Sequence, residues 1–184
     1  MRNRAVFLDR DGVINRALLI NGSPHPPSSL VQLEILPGVD EACALLRTAG
    51  YLLIVVTNQP DVARGRQSRQ NIDRINAELQ RQLNFDDLLM CLHDDGDDCP
   101  CRKPRPGMLI AAAATHSVDL SRSVMVGDRD RDIEAGQAAG CWTVFIDQGY
   151  ANRPDPPADL VVGRLRDAVD WITGQGQGNG RAIL

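Results

Sequence analysis

The apolar run at residues 51–56 constrains the fold of this chain more than any other segment. Its sequence, Tyr-Leu-Leu-Ile-Val-Val, offers no charged side chain to either face of a strand, so both faces have to be covered. Strands of this kind are typical of parallel sheets that carry helices on both sides. Further strand-like runs at 4–8, 123–126 and 141–146 alternate with helix-like segments, which predicts an α/β fold with a doubly wound parallel sheet.

Helix and turn signals divide the rest of the chain. Strands are predicted at 4–8, 51–56, 88–92, 123–126, 141–146 and 160–162, and helices at 39–49, 68–83, 106–116, 130–139 and 165–172. The connection at 16–36 is too rich in proline for a helix, and its length is typical of a functional loop. We expect residues 1–174 to form a single domain and residues 175–184, rich in Gly and Gln, to be a disordered tail.

Polar clusters stand directly after three of these strands. The clusters are Asp9 with Asp11, Thr57 with Asn58, and Asp128 with Asp132. Because the carboxyl ends of parallel strands meet at one edge of a sheet, where such folds bind ligands, we expect the clusters to converge. The carboxylates of Asp9 and Asp11 repel each other unless a cation or a shared proton lies between them. Mg²⁺, which binds carboxylates together with phosphate oxygens, would supply that cation. One aspartate could then attack phosphorus while the other moves a proton.

Each cluster also has a plainer interpretation. An acid pair after a strand is typical of a turn, a Thr-Asn pair can cap a strand, and Asp128 could lie at a solvated helix N-terminus. Asp128 is nevertheless the expected third acidic ligand, because a Gly-Asp pair directly after an apolar strand is an awkward place for a solvated acid. Asp132 is expected to cap the following helix or to support the site from outside the metal ligands.

Three thiols and one imidazole lie close together between residues 91 and 101. The set is Cys91, His93, Cys99 and Cys101. A Cys₃His set suits tetrahedral Zn²⁺ with every position filled, which predicts a closed, structural site. The aspartates in between would suit Ca²⁺, but thiols favour a softer metal. Since the set ends directly before Arg102 and Lys103, we expect the metal to fix a loop that presents two cations to phosphate.

Composition argues against several other classes of function. The net charge is −4 and there is no basic tract, so nucleic acid is not an expected partner. No run of about 18 apolar residues is present to span a membrane, and the short run before Asp9 favours a first strand over a signal peptide. Three of the five cysteines are clustered, which favours metal binding over a disulfide framework and suggests a cytoplasmic location.

Four motifs occur together in this chain, namely D-x-D-G-V-I-N, T-N-Q, C-x-H-x₅-C-x-C-R-K-P and G-D-x-x-x-D. Together they resemble the haloacid dehalogenase superfamily, specifically its small phosphatases with a zinc loop and no cap domain. The resemblance spans about residues 6–146. It implies a Rossmann-like fold without a cap and Mg²⁺-dependent hydrolysis of a phosphomonoester.

The resemblance also implies roles for individual residues. Asp9 would be the nucleophile that forms an aspartyl-phosphate, and Asp11 would protonate the leaving alkoxide and then activate water. Thr57 and Lys103 would hold the phosphoryl group. Mg²⁺ would be held by Asp9, the backbone carbonyl of Asp11 and Asp128.

Two groups in the superfamily share the zinc loop. One acts on D-glycero-D-manno-heptose 1,7-bisphosphate in lipopolysaccharide and related carbohydrate pathways, and the other is the histidinol-phosphatases. The segment 57–65 resembles T-N-Q-S-G-x-x-R-G of the heptose group, and its Arg64 favours removal of the 7-phosphate. Pro60 and Asp61 depart from that pattern and Arg129 matches the histidinol group, so histidinol phosphate or another small phosphometabolite stays an alternative.

We expect the enzyme to be a monomer and its partner to be a small phosphorylated metabolite, in particular a sugar bisphosphate. The expected substrate contacts are Asn58, Arg64, Arg102 and Arg129.

Two non-enzymatic interpretations fit part of the pattern. One is a zinc-stapled binding module that kept the fold and lost the chemistry, but a degenerate copy would be expected to lack one of the motif residues, and all are present. The other is a receiver-like domain that accepts a phosphoryl group on Asp9. A receiver would lack both Asp11 as proton donor and the zinc loop.

Overall fold

The computed structural model describes residues 2–150, 154–155 and 157–175. Its strands are β1 (Arg4–Leu8), β2 (Leu18–Ile20), β3 (Ser23–His25), β4 (Tyr51–Asn58), β5 (Asp87–Cys91), β6 (Val124–Gly127), β7 (Trp142–Ile146) and β8 (Leu160–Val162). Its helices are α1 (Val39–Thr48), α2 (Arg69–Leu83), α3 (Gly107–His116), α4 (Asp130–Ala138) and α5 (Leu165–Gln175). The predicted alternation of strands and helices is therefore confirmed.

Six of the strands form one sheet in the order β5-β4-β1-β6-β7-β8, and each neighbouring pair is parallel. The central strand β1 has apolar residues that are fully buried from Ala5 to Leu8. Burial on both faces explains why β1, β4 and β6 carry continuous apolar runs rather than an alternation of apolar and polar residues.

Helices cover both faces of the sheet, as expected for a doubly wound fold. Successive side chains of β1 point to opposite faces. Val6 and Leu8 join the apolar cluster that includes residues of α1, α2 and α5. Ala5 and Phe7 join the second cluster, which includes residues of α3 and α4. The two clusters pack against opposite faces of the sheet and so hold in place the edge at which its strands end.

The structure corrects the sequence prediction at two places. The 16–36 connection holds an antiparallel hairpin of β2 and β3 and a 3-10 turn at Leu30–Gln32, and Pro24 is tolerated because this two-stranded hairpin has free edges. Helix α5 continues to Gln175, beyond the end predicted for it at residue 172. Residues 176–184 lie outside the described part of the chain. Among the described helices, none is long and apolar enough to cross a membrane.

Candidate active site

The topology brings the predicted clusters to one edge. Strands β4 and β6 flank β1, and Leu8 is in register with both Val55 and Val126. The residues at and just after the carboxyl ends of these strands therefore lie side by side, at the edge where open α/β sheets bind ligands. A cavity of about 290 Å³ opens there. It is lined by every predicted catalytic and substrate-contacting residue: Asp9, Asp11, Thr57, Asn58, Arg64, Arg102, Lys103, Asp128 and Arg129.

Lys103 lies at the centre of this arrangement, and only 2% of it is exposed. Its Nζ atom lies 2.8 Å from Asp9 Oδ1 and 2.6 Å from Asp132 Oδ1, and it donates a hydrogen bond to the Val56 carbonyl oxygen at 2.8 Å. All three donor positions of the ammonium group are thus used. We call Asp9, Lys103, Asp128 and Asp132 the inner cluster.

Three carboxylates of the inner cluster are close enough to share a cation. One oxygen each of Asp9, Asp128 and Asp132 lies within 4.8 Å of the others. Asp132 already has partners for both oxygens, since Lys103 contacts one and the Arg129 backbone N–H donates to the other at 3.1 Å. Asp128 Oδ1 is buried without a hydrogen-bond partner, whereas the Tyr150 hydroxyl contacts Oδ2. An orphaned buried carboxylate oxygen beside a second carboxylate is what a hard cation would satisfy.

The crowding of acids shifts their protonation. Burial, followed by the charge of Asp132, raises the pKa of Asp9 to about 6, although Lys103 opposes the shift. Burial and the charge of Asp9 likewise raise the pKa of Asp128 well above its usual value. Burial acts to lower the pKa of Lys103, but Asp132 and Asp9 outweigh it and raise that pKa. The Lys103 ammonium group therefore keeps its positive charge, and the raised pKa values of the acids favour a further positive charge beside them.

Asp11 is held apart from the inner cluster by its own set of donors. The fully buried Arg10 contacts both of its carboxylate oxygens at 2.9 to 3.2 Å. Asn15 donates at 2.9 Å and Gln59 at 2.7 Å. The turn that allows this begins at Gly12, where φ is +93° and an added Cβ would lie 2.1 Å from Asp128 Oδ2. Only glycine fits there.

Thr57 and Asn58 differ in how they face the cavity. Thr57 Oγ1 accepts a hydrogen bond from Gln59 at 2.9 Å and stays at the strand end. Asn58 uses both ends of its side-chain amide on the backbone of Lys103, donating to its carbonyl at 3.0 Å and accepting from its N–H at 3.1 Å. Asn58, which is predicted as a substrate contact, lines the cavity, and its side-chain amide also holds the backbone of Lys103.

The predicted zinc ligands converge in the loop after β5. Cys101 Sγ lies 3.2 Å from Cys91 Sγ, 3.4 Å from Cys99 Sγ and 3.3 Å from His93 Nδ1. The Cys91 and Cys99 sulfurs are 3.7 Å apart. Tetrahedral Zn²⁺ with Zn–S bonds of about 2.3 Å implies edges of roughly 3.8 Å, so the four donors have the right number, chemistry and spacing for that ion.

A second group of charges, at and beside the cavity, forms its own set of ion pairs. Arg102, which is 8% exposed, contacts Asp95 Oδ1 through Nε at 2.8 Å and through Nη2 at 2.6 Å. Arg64 Nη2 contacts Asp95 Oδ2 at 2.9 Å, and its Nε donates to Asp94 Oδ1 at 2.9 Å. We call Arg64, Arg102, Asp94 and Asp95 the outer wall.

Sequence reasoning missed several residues of this site. Arg10 and Gln59 fix Asp11, and Asp95 joins the two arginines. Arg10 carried a signal, because a basic residue between two acids suggests a local partner. Nothing in the sequence indicated Tyr150, which reaches Asp128 from the segment after β7.

Comparisons with known proteins agree with this geometry. Residues 100–168 match a family model described as HAD-hydrolase-like. The chain is 35% identical to the D-glycero-beta-D-manno-heptose-1,7-bisphosphate 7-phosphatase of Vibrio cholerae, over 94% of this chain and 97% of that protein. It is 36% identical to the D-glycero-alpha-D-manno-heptose-1,7-bisphosphate 7-phosphatase of Burkholderia mallei, over 96% and 97%.

A solved structure is similar as well. It is the D,D-heptose 1,7-bisphosphate phosphatase from B. bronchiseptica, complexed with magnesium and phosphate. The TM-score is 0.79 at 29% sequence identity, and the match covers 94% of this chain and 99% of that chain.

Proposed function

Because the chain belongs to the haloacid dehalogenase-like phosphatase family that includes the heptose-1,7-bisphosphate 7-phosphatases, we propose that it removes the 7-phosphate of D-glycero-D-manno-heptose 1,7-bisphosphate. The observation that carries the proposal is the inner cluster. A buried lysine holds a carboxylate at the carboxyl end of the central strand, beside an orphaned oxygen of a second carboxylate. This set suits phosphoryl transfer, which depends mainly on positioning and on charge neutralisation.

Mg²⁺ fits the inner cluster, and the resemblance to the family supports the same ligands. Asp9 and Asp128 would hold it through their carboxylates, and Asp11 through its backbone carbonyl. When bound, the ion would neutralise charge on the transferring phosphoryl group. Zn²⁺ would occupy the Cys91, His93, Cys99 and Cys101 set as a structural ion.

The first half of the reaction uses Asp9 as nucleophile. A carboxylate oxygen of Asp9 bonds to phosphorus, the bond from phosphorus to the sugar oxygen breaks, and Asp11 gives a proton to the departing alkoxide. Lys103 holds Asp9 at 2.8 Å and so fixes the attacking oxygen. The donors of Arg10, Asn15 and Gln59 fix the position from which Asp11 acts.

The second half hydrolyses the aspartyl-phosphate. Asp11 takes a proton from water, the water oxygen bonds to phosphorus, and the bond from phosphorus to Asp9 breaks. By the family resemblance, Thr57 and Lys103, which both line the cavity, would bind phosphoryl oxygens, and Lys103 would exchange one of its present partners for the phosphoryl group. The net change is one phosphomonoester and one water converted to an alcohol and inorganic phosphate.

The outer wall supports a bisphosphate as substrate. Arg64 and Arg102 line the same cavity as Asp9 and present two planar forks of the kind that bind phosphate. Histidinol phosphate carries one phosphate, which the inner cluster would bind, and leaves the outer arginines without an anionic partner on the ligand.

The test is release of phosphate with Mg²⁺ present, from both anomers of heptose 1,7-bisphosphate and from histidinol phosphate. Both anomers are included because relatives named for either one are similarly close to this chain. We expect a kcat/KM of about 10⁵ M⁻¹s⁻¹ or more for one heptose anomer. Comparable efficiency on histidinol phosphate would contradict the substrate, and a stable phospho-Asp9 without turnover would contradict hydrolysis and favour a receiver-like role.

A further inference from the structure

The carboxylate of Asp95 lies between the two arginines of the outer wall. One oxygen faces Arg102 at 2.6 and 2.8 Å, and the other faces Arg64 at 2.9 Å. A carboxylate that accepts from two guanidinium groups has the contacts that a phosphate would make at the same place. The outer wall is therefore already satisfied by an anion that belongs to the chain itself.

This internal anion is held loosely. Its side chain is 72% exposed, and ion pairs at such exposure contribute little because water screens them. The turn at Asp95–Asp97 does not depend on it, because Asp94 and Asp97 cap the turn through each other's backbone N–H groups and side chains. The Asp95 side chain can swing away while the loop keeps its shape.

We propose that Asp95 is a specificity-determining residue that competes with the second phosphate of the substrate for Arg64 and Arg102. The proposal rests on the proposed function and adds a competitor to it. A bisphosphate displaces the Asp95 carboxylate when it binds, and a monophosphate leaves it in place.

The competition has a kinetic consequence. The second phosphate does not react, so it is present in the substrate, the transition state and the sugar product alike. Binding it too tightly would lower KM without raising kcat and would slow departure of the product. Asp95 weakens that uniform binding and so shortens the time that the product occupies the pocket.

The experiment compares wild type with Asp95→Asn on two substrates, heptose 1,7-bisphosphate and the 7-phosphate of the same sugar with a free anomeric hydroxyl. For Asp95→Asn, we expect KM for the bisphosphate and the inhibition constant of the heptose 1-phosphate product to fall together, by about fivefold. KM for the 7-phosphate should stay unchanged. A residue that merely shaped the loop would shift all three constants in the same direction.

Asp98→Asn is the matched control, because it removes the same charge from the same loop. Asp98 is exposed, pairs with Arg105 away from the cavity, and has a φ of 46° that asparagine tolerates well. It should leave all three constants unchanged, and both variants should retain equal zinc.

A rise in KM for the bisphosphate in Asp95→Asn would overturn the inference and make Asp95 a residue that orients Arg102. If the wild type turned over the bisphosphate and Asp95→Asn had the same constants as the wild type, the inference alone would be overturned. A wild type that turns over only monophosphates would overturn both the inference and the proposed function.

Discussion

The inner cluster and the outer wall are built by different means. In the inner cluster, Asp9 and Asp128 directly follow two strands of a sheet whose central residues are fully buried, and Lys103, which comes from a loop, has all three donors occupied. The outer wall is carried by two loops, and its ion pairs reach into solvent, with Arg64 29% exposed and Asp95 72% exposed. From this difference we expect that the residues of the chemistry are positioned mainly by the sheet, whereas selection among phosphorylated ligands depends on loops that tolerate change.

Asp9→Asn gives the largest expected effect and tests whether Asp9 is needed for turnover but not for the stability of the fold. We expect kcat to fall by about 10⁴-fold or more, because the nucleophile is lost. The metal-free melting temperature should stay equal or rise, because burial disfavours the Asp9 carboxylate. Phosphate release assays and calorimetry measure the two effects.

The exposed Asp130→Asn at the start of α4 is the control for loss of one acid, and it should match wild type in both measurements. Turnover by Asp9→Asn within tenfold of wild type would refute the nucleophile assignment.

Cys99→Ser tests the part of the chain that joins the two regions. The four predicted zinc ligands end one residue before Arg102, so loss of the metal should disturb Arg102 and Lys103 together. We expect kcat to fall about 10- to 100-fold, with a rise in KM and a lower melting temperature. Elemental analysis should show that the zinc is lost.

Cys43→Ser is the matched control, because Cys43 is buried in α1 outside the set. It should lower stability and leave zinc content and kcat unchanged. If Cys99→Ser lost zinc and kept both kinetic constants, the proposed link between the loop and the cations would be wrong.

Arg102→Lys addresses the outer wall alone. Lysine keeps the charge but loses the fork that contacts Asp95 and the His93 carbonyl. We expect KM for the bisphosphate to rise about tenfold while kcat changes by less than about threefold. Arg105→Lys, on the other side of the loop, should have no effect on either constant. A selective loss of kcat in Arg102→Lys would place Arg102 with the inner cluster.

The smallest expected effect is thermal stabilisation by Mg²⁺, about 5 °C at saturation and neutral pH. In the metal-free protein the pKa of Asp9 is raised to about 6, so its contribution to stability is greatest at low pH and is lost as the pH rises through 6. Mg²⁺ competes with the proton at Asp9, so the shift should be large at pH 7.5 and small at pH 5. An equal shift at both values, or an undiminished shift in Asp128→Asn, would argue against these ligands.

The strands could be predicted because short, continuous apolar runs are typical of strands buried on both faces of a sheet. The convergence of Asp9, Thr57 and Asp128 could be predicted because the carboxyl ends of parallel strands meet at one edge of the sheet. The sequence did not predict the β2–β3 hairpin, whose short strands carry no run of their own. Nor did it predict the partner of Asp95, because exposed ion pairs between loops leave no periodic signal. Nor did it predict the hydrogen bonds from Asn58 to the Lys103 backbone, since a side-chain amide can bond to ligand or to backbone with equal ease.

Arg102 and Lys103 share one peptide bond and contact different acids of the pocket. The guanidinium of Arg102 lies at the outer wall, and the ammonium of Lys103 lies against Asp9. Their Cα atoms are about 3.8 Å apart, so in the proposed binding mode two side chains that leave the same short piece of backbone would set the spacing between the two phosphate positions. Because Cys101 directly precedes this piece of backbone, the zinc set would hold it in place. A sugar whose two phosphates are too near or too far apart would contact only one of the two side chains.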